Sequence, residues 1–321
     1  MIAPLMLSAL CSFLCCLLVA RLLSRQGLYD MPTARSSHFR PTPKGGGVGM
    51  VVAFSAASMI TGQPILLWLP VTALAAGSLV NDLRDLSAGL RLALQFMAAG
   101  LTLAWAWSNG WTAWSGWFLL PAVVWMVAMA NCYNFMDGIN GMAGLTGIVA
   151  FFLLGLYNGN GPGLPIILVL VVLGALMGFL PCNLPRARIF MGDVGSIFLG
   201  FLYALAVCLT VGSWTDFLVC LAFLFPFLAD EAVTAAERIR RRESLLKAHR
   251  RHLYQFLANE LRIAHWRVSL AYALIQLALG LAAMGLAKVG GWYVLLMLVF
   301  SLAAWVVVHC QLKHRFQPKE P

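Results

Sequence analysis

Residues 164–210 read LPIILVLVVLGALMGFLPCNLPRARIFMGDVGSIFLGFLYALAVCLT. Two apolar runs, each close to the roughly 20 residues a helix needs to cross a bilayer, flank a short polar stretch holding Arg186, Arg188 and Asp193. The same alternation fills the rest of the chain. Apolar runs broken by charged or Gly- and Pro-marked segments give about eleven candidate spans, beginning near residues 3, 48, 65, 92, 114, 143, 164, 194, 215, 268 and 291. Composition agrees: of 321 residues 61% are apolar and 11% charged, and the mean hydropathy is +0.84. A soluble domain averages about 45–50% apolar and about 25% charged. A soluble globular enzyme is excluded, as are a disordered chain, a collagen and a disulfide-stapled secreted module. The expected fold is all-α, a polytopic integral membrane bundle forming one domain over 1–321. The first segment, from about Ala3 to Ala20, lacks a basic n-region and a convincing cleavage site and is expected to stay as a span. The eight cysteines lie mostly within apolar runs, without metal-ligand spacing.

Charge gives an independent test of the span count. Of the 22 Lys and Arg, Lys288 alone falls on one side of the eleven-span arrangement. The positive-inside rule makes the other side cytoplasmic, with the N-terminus outside and the C-terminus inside. Net charge +10 then expresses topology and an anionic leaflet, not nucleic-acid binding. Trp105, Trp107, Trp111, Trp114 and Trp117 surround an external loop at Asn109, as an interfacial aromatic belt would. The longest polar insertion, about 237–267, is cytoplasmic and is the one segment with room for an extra helical element.

Eleven of the twelve acids fall on the cytoplasmic side, Asp216 being external. Ionisable groups near bilayer depth cost about 2.5–3.5 kcal/mol each on insertion scales, so they call for a partner or a role. Asn81-Asp82-Leu83-Arg84-Asp85 follows the third span. Asn131, Asn134 and Asp137 end the fifth at i, i+3, i+6, one oxygen-bearing helical face suited to a hard cation or to a ribose and phosphate, followed by Gly138 and Asn140. Capping of helix ends is the alternative use of these groups. Asp193, between Gly192 and Gly195, suits either a Mg2+ ligand or the cap of the eighth span. In the long basic loop, His249-Arg250-Arg251-His252 offers imidazole and guanidinium donors to phosphate. The loop containing His38, Pro41-Thr42-Pro43, Lys44 and Gly45-Gly46-Gly47 is too polar to span; its glycines serve as a turn, or their amides cradle an anion.

Taken in order, these segments resemble the polyprenyl-phosphate N-acetylhexosamine-1-phosphate transferases, the glycosyltransferase 4 family with WecA-like and MraY-like branches. The resemblance rests on the His-x-x-Pro-Thr-Pro-x-Gly-Gly loop, the Asp-Asp-x-x-Asp, Asn-x-x-Asn-x-x-Asp-Gly-Ile and Phe-Met-Gly-Asp-x-Gly-Ser motifs, and the histidine motif ending at Tyr254-Gln255. It implies transfer of a sugar-1-phosphate from a UDP-sugar to undecaprenyl phosphate, with release of UMP, in a bacterial inner membrane. It further implies Mg2+, or Mn2+ in its place, on Asp193 and Asn134. Asp82, Asp137 and Asp193 are the catalytic candidates, by direct attack or through an aspartyl intermediate. His38, Lys44, Asn81, Asp85, Asn131, Asn140, His249, Arg250, Arg251 and His252 are the substrate-binding candidates. Two positions depart from the family pattern: Asn81 stands where the first Asp of Asp-Asp is expected, and Asn140 replaces a second acid. The histidine motif is most similar to O-antigen-initiating members, pointing to an N-acetylhexosamine or a deoxy derivative. A homodimer is the assembly to look for. A transporter is the competing class, disfavoured because the polar clusters sit at span ends rather than the midplane. A CDP-alcohol phosphotransferase lacks its downstream aspartates here.

Overall fold

The computed structural model describes residues 2–33, 36–84, 86–159, 163–243 and 250–316. Among these residues the chain forms α1 (Ile2–Arg25), α2 (Val48–Ile60), α3 (Ile65–Leu83), α4 (Ala88–Ser108), α5 (Leu119–Met136), α6 (Met142–Asn158), α7 (Ile166–Asn183), α8 (Asp193–Thr210), α9 (Trp214–Ala222), α10 (Phe225–Arg240), α11 (Leu253–Asn259), α12 (His265–Ala287) and α13 (Gly291–Phe316). Each of the eleven expected segments is helical. Eight are long and apolar enough to cross a membrane, while α2 and α6 are shorter apolar helices. The ninth expected span is two helices, α9 and α10, meeting at 85°.

That break was hidden in an unbroken apolar run, Leu221 to Leu228. Pro226 in the first turn of α10 cannot continue the α9 hydrogen-bond ladder. Carbonyls near the bend are satisfied by side chains, as backbone groups away from water require. Gln276, fully buried on α12, donates to the Phe223 carbonyl at 2.6 Å, and the Tyr203 hydroxyl donates to that of Cys220. The insertion expected at 237–267 contains α11.

Helix α8 runs through the centre, 94% of its residues being buried, against α3 and α5. Helix α1 packs on α7, where side chains would keep the backbones apart. A Cβ at Gly178 would overlap the Ala9 carbonyl, and one at Gly174 the Leu5 carbonyl, the small-residue contact by which membrane helices approach closely. Gly178→Leu is therefore expected to destabilise the fold by about 1–3 kcal/mol or more. Gly100→Leu, with open space around it, should be neutral. Thermal midpoints and size-exclusion profiles of the two variants in detergent check this.

At one end of the bundle α13 reaches back to α10. The buried Lys313 ammonium donates to Glu237 at 2.8 Å and to the Arg251 carbonyl at 3.0 Å. Described residues of the loops that follow α1, α5 and α7 meet one another and the end of α3: Pro43 pairs with Phe190, Asn140 with Pro185, and Asp82 with Asp193.

Candidate functional site

The loop before α2 and the loop before α8 are joined backbone to backbone. Phe190 N–H donates to the Pro43 carbonyl at 2.8 Å. In return the Gly45 and Gly46 amides donate to Phe190, and Gly47 to Met191, at 2.9–3.2 Å. The glycine amides are therefore used inside the protein, which corrects the anion-cradle expectation. Glycine is required for closeness instead. A Cβ on Gly46 would stand 2.6 Å from the Phe179 ring, and one on Gly47 would overlap the Gly195 backbone.

This junction sets the start of α8, where Gly192 takes φ +75° with Asp82 2.6 Å from its missing Cβ. Asp82 caps α8 from another helix: its two carboxylate oxygens accept the Asp193 and Val194 amides at 3.0 and 3.1 Å. A carboxylate there satisfies orphan N–H groups and meets the positive end of the helix dipole. Asp193 is thus the first residue of α8 rather than its cap, and its side chain is turned to other partners. Asn81 Nδ2 donates to one oxygen at 2.7 Å, Asn134 Nδ2 to the other at 2.9 Å, and an Arg91 guanidinium nitrogen lies 3.9 Å away. Asn81 is oriented by its own carbonyl, which accepts Leu86 N–H at 3.0 Å. An acid at position 81 would face Asp193 with like charge, so the amide suits this contact without an intervening cation.

Two cavities meet at Asp193 and Asn134. One, of about 740 Å³, is mostly apolar and lies between α3, α4, α5 and α10, with Leu74, Phe96, Trp125 and Leu228 on its walls and Arg91 and Asn131 among its polar groups. The other, of about 220 Å³, is polar and is lined by Asp30, His38, Lys44, Asp137, Asn140 and Gln255, with His265 beside them.

A family model described as glycosyl transferase family 4 matches residues 64–211, which run from α3 through α8. Over 318 residues, 84% of this chain and 78% of the relative, the sequence is 29% identical to the decaprenyl-phosphate N-acetylglucosaminephosphotransferase of Mycobacterium tuberculosis. From α3 through α8, then, the chain is similar to glycosyl transferase family 4. It is also 29% identical over 201 residues, 57% of this chain and 56% of the relative, to a probable undecaprenyl-phosphate N-acetylglucosaminyl 1-phosphate transferase of Bacillus subtilis. With the phospho-N-acetylmuramoyl-pentapeptide-transferase of Thermosynechococcus vestitus it shares 38% identity over 133 residues, 38% of this chain and 35% of the relative.

In this chain four sequence-derived residues, Asn81, Asp82, Asn134 and Asp193, form one contacting cluster, and His38, Lys44, Asp137 and Asn140 line the adjoining polar cavity. Burial pushes the Asp137 carboxyl well above the ordinary range; the Asp193 and Asp82 charges add to this and Lys44 opposes it. Burial alone would lower the Lys44 ammonium, but the carboxylates of Asp30, Asp82 and Asp193 outweigh it and raise the group. Asn140 donates its backbone N–H to His265 Nδ1 at 3.3 Å and its side-chain amide to the Pro185 carbonyl at 3.3 Å. Asn131 is held by Gln95 at 2.6 Å and by the Val127 carbonyl at 2.7 Å, tying α5 to α4 on the wall of the apolar cavity.

Of the histidine motif's substrate-binding candidates, Arg250, Arg251 and His252 are described, and none of the three lines the two cavities. Arg250 pairs with Glu260 at 3.6 Å and Arg251 with Glu243 at 2.9 Å, and neither lines the two cavities. His252 is 2% exposed, its ring between Asp230 at 3.6 Å and Glu231 at 3.5 Å. The cause is a second cap in trans: Asp230, fully buried, accepts the Leu253 and Tyr254 amides at 2.8 and 3.2 Å, which draws the start of α11 inward. Asp85 and His249 lie outside the described residues. Sequence reasoning passed over Asp30, whose carboxylate is 3.4 Å from Lys44, and also Arg91, Gln255 and His265. Arg91 has a visible signal, a cation opening a span four residues after the Ser87 cap. His265 likewise opens a span.

Proposed function

We propose that the protein transfers a sugar-1-phosphate, of an N-acetylhexosamine or its deoxy derivative, from a UDP-sugar to undecaprenyl phosphate, and so initiates a cell-surface glycan such as an O-antigen. The observation that carries this reading is the meeting of an apolar and a polar cavity at Asp193 and Asn134. A lipid phosphate needs the first kind of wall and a nucleotide sugar the second. The M. tuberculosis relative carries a polyprenyl phosphate and an amino sugar in its name, which supports the same pairing. With the basic loops cytoplasmic, the N-terminus lies outside, the C-terminus inside, and the reaction faces the cytosol of a bacterial inner membrane.

Phosphoryl transfer rests on alignment and charge neutralisation. An oxygen of the lipid phosphate attacks the sugar-bearing phosphorus of the UDP-sugar. The new P–O bond forms as the bond to the UMP phosphate breaks, and UMP leaves with the electron pair. Arg91, beside Asp193 and half exposed to the apolar cavity, neutralises the acceptor phosphate. Lys44 faces the polar cavity and neutralises the donor. A phosphate monoester is largely ionised near neutrality, so no strong base is required, and Asp82 remains a cap. Direct attack follows.

Asp193 and Asn134 fit Mg2+, which takes one or two carboxylates and keeps water and phosphate oxygens elsewhere. Turning the Asn134 amide oxygen toward a cation requires the Ser196 hydroxyl, 2.9 Å away, to leave the Gly192 carbonyl that it donates to at 3.1 Å and donate to Asn134 instead. Asn81 is fixed the other way by Leu86. Among the described residues no group of three His, Cys, Asp or Glu gathers, so the donor set suits a hard cation that brings its own oxygens. When bound there, Mg2+ would offset charge on the diphosphate.

The test is purified protein in detergent with Mg2+, undecaprenyl phosphate and a panel of labelled UDP-amino sugars. UMP and a lipid diphosphate sugar are expected. Absence of product with every sugar, or solute flux in proteoliposomes, would overturn the reading.

A further inference from the structure

Over its second half, α13 turns one narrow face to the protein. Trp305, His309 and Lys313, at i, i+4 and i+8, are buried, while Phe300 and Val307 beside them are exposed. The Trp305 ring meets Tyr272 edge-on with centroids 5.3 Å apart, and the Tyr272 hydroxyl donates to Asp230 at 2.7 Å. One turn on, His309 Nε2 stands 3.4 Å from one Glu237 oxygen, and Lys313 takes the other at 2.8 Å. The helix has 26 residues, about 39 Å of length against a hydrocarbon core of about 30 Å, so its last turns reach past the core. A lysine at that level ordinarily extends its ammonium to water. Lys313 is 8% exposed and donates inward, to Glu237 and to the Arg251 carbonyl at 3.0 Å.

Desolvation offsets most of what a buried ion pair gains, so apolar residues would serve stability as well. What the pair does fix is the entry to α11. Arg251 precedes His252, the residue before the first turn of that helix, and Asp230 holds the Leu253 and Tyr254 amides from the opposite side. Farther along, the Tyr254 hydroxyl donates to the Phe135 carbonyl at 2.9 Å and fills the space a Cβ on Gly138 would need. Phe135 lies between Asn134 and Asp137 in sequence. The other wall is tied in as well: the Arg251 side chain pairs with Glu243 at 2.9 Å, and Glu243 is 3.8 Å from Arg238, which lines the apolar cavity.

We infer that α13 braces the transfer site from behind, with Lys313 as a positioning residue. Its ammonium sets the Arg251 backbone and thereby α11, and Tyr254 carries that placement to the end of α5, where Asn134 and Asp137 stand. The inference rests on the transferase reading and deepens it.

The variant is Lys313→Met, similar in length and without the ammonium. Removing one partner leaves the Glu237 charge buried without it, so Lys313→Met/Glu237→Gln, neutral on both sides, is measured beside it. Val307→Ala, on the exposed face of α13, is the control. Hydrogen exchange over residues 250–259 and 133–138 is read in detergent, together with kcat, KM for both substrates and thermal midpoints. In both Lys313 variants kcat should fall by about tenfold, as for a misplacement of a fraction of an ångström, with each KM within about twofold of wild type. Exchange should quicken over α11 and the end of α5, and adding Tyr254→Phe, which breaks the same path, should lower kcat little further. A wild-type kcat in the neutral pair overturns the inference, as do unchanged exchange or effects of Lys313→Met and Tyr254→Phe that simply multiply. If no UDP-sugar supports turnover by the wild-type protein, the transferase reading fails, and hydrogen exchange still tests the brace.

Discussion

Asp193→Asn should leave the protein folded and lower transfer by about 10³-fold or more, the scale of losing a preorganised electrostatic group at a transferring phosphoryl. The substitution keeps the shape of the side chain and removes its charge where the two cavities join. The amide that caps α8 belongs to the backbone of residue 193 and still meets Asp82, so the helix start survives. What is lost is the anion that Asn81, Asn134 and Arg91 surround. UMP release and the thermal midpoint measure the two effects separately. Full turnover in the variant would remove Asp193 from the reaction.

Asp82→Asn is expected to lower both stability and rate. An amide accepts one of the two α8 amides in place of the bidentate carboxylate and loses the interaction with the helix dipole, a loss of about 0.5–2 kcal/mol. Displacing the Asp193 backbone by a fraction of an ångström then lowers kcat by about tenfold to a hundredfold. Thermal midpoints and single-turnover rates measure the two effects, and a full rate beside a lowered midpoint would show that the carboxylate does no more than hold the helix.

The span pattern was legible because bilayer thickness imposes a length on every apolar run. It missed the bend between α9 and α10, since Leu224, Phe225 and Phe227 around Pro226 keep hydropathy high where the backbone breaks. The cluster of Asn81, Asp82, Asn134 and Asp193 was legible as polar groups at span ends. Their division of labour was not, because it depends on a contact between residues 82 and 193 that no local spacing reports. The glycines at 45–47 present the same difficulty: a turn, an anion nest and a close backbone contact all ask for glycine. His252 was misplaced for a related reason, as its burial follows from Asp230 on another helix. Gln255 ends the histidine motif, but its place on the wall of the polar cavity depends on the seat of α11 on Asp230.

The pairing of Pro43–Gly47 with Phe190–Met191 also orders events during biosynthesis. At about 5–20 residues per second, the first strip leaves the ribosome roughly 7–30 s before the second. A nascent chain stalled in that interval holds its early helices in the translocon's neighbourhood with the glycine amides unmet by their later carbonyls. The two strips that set the start of α8 therefore meet only once the eighth helix has been made, and both cavities close later still, when α10, α11 and α12 add their walls.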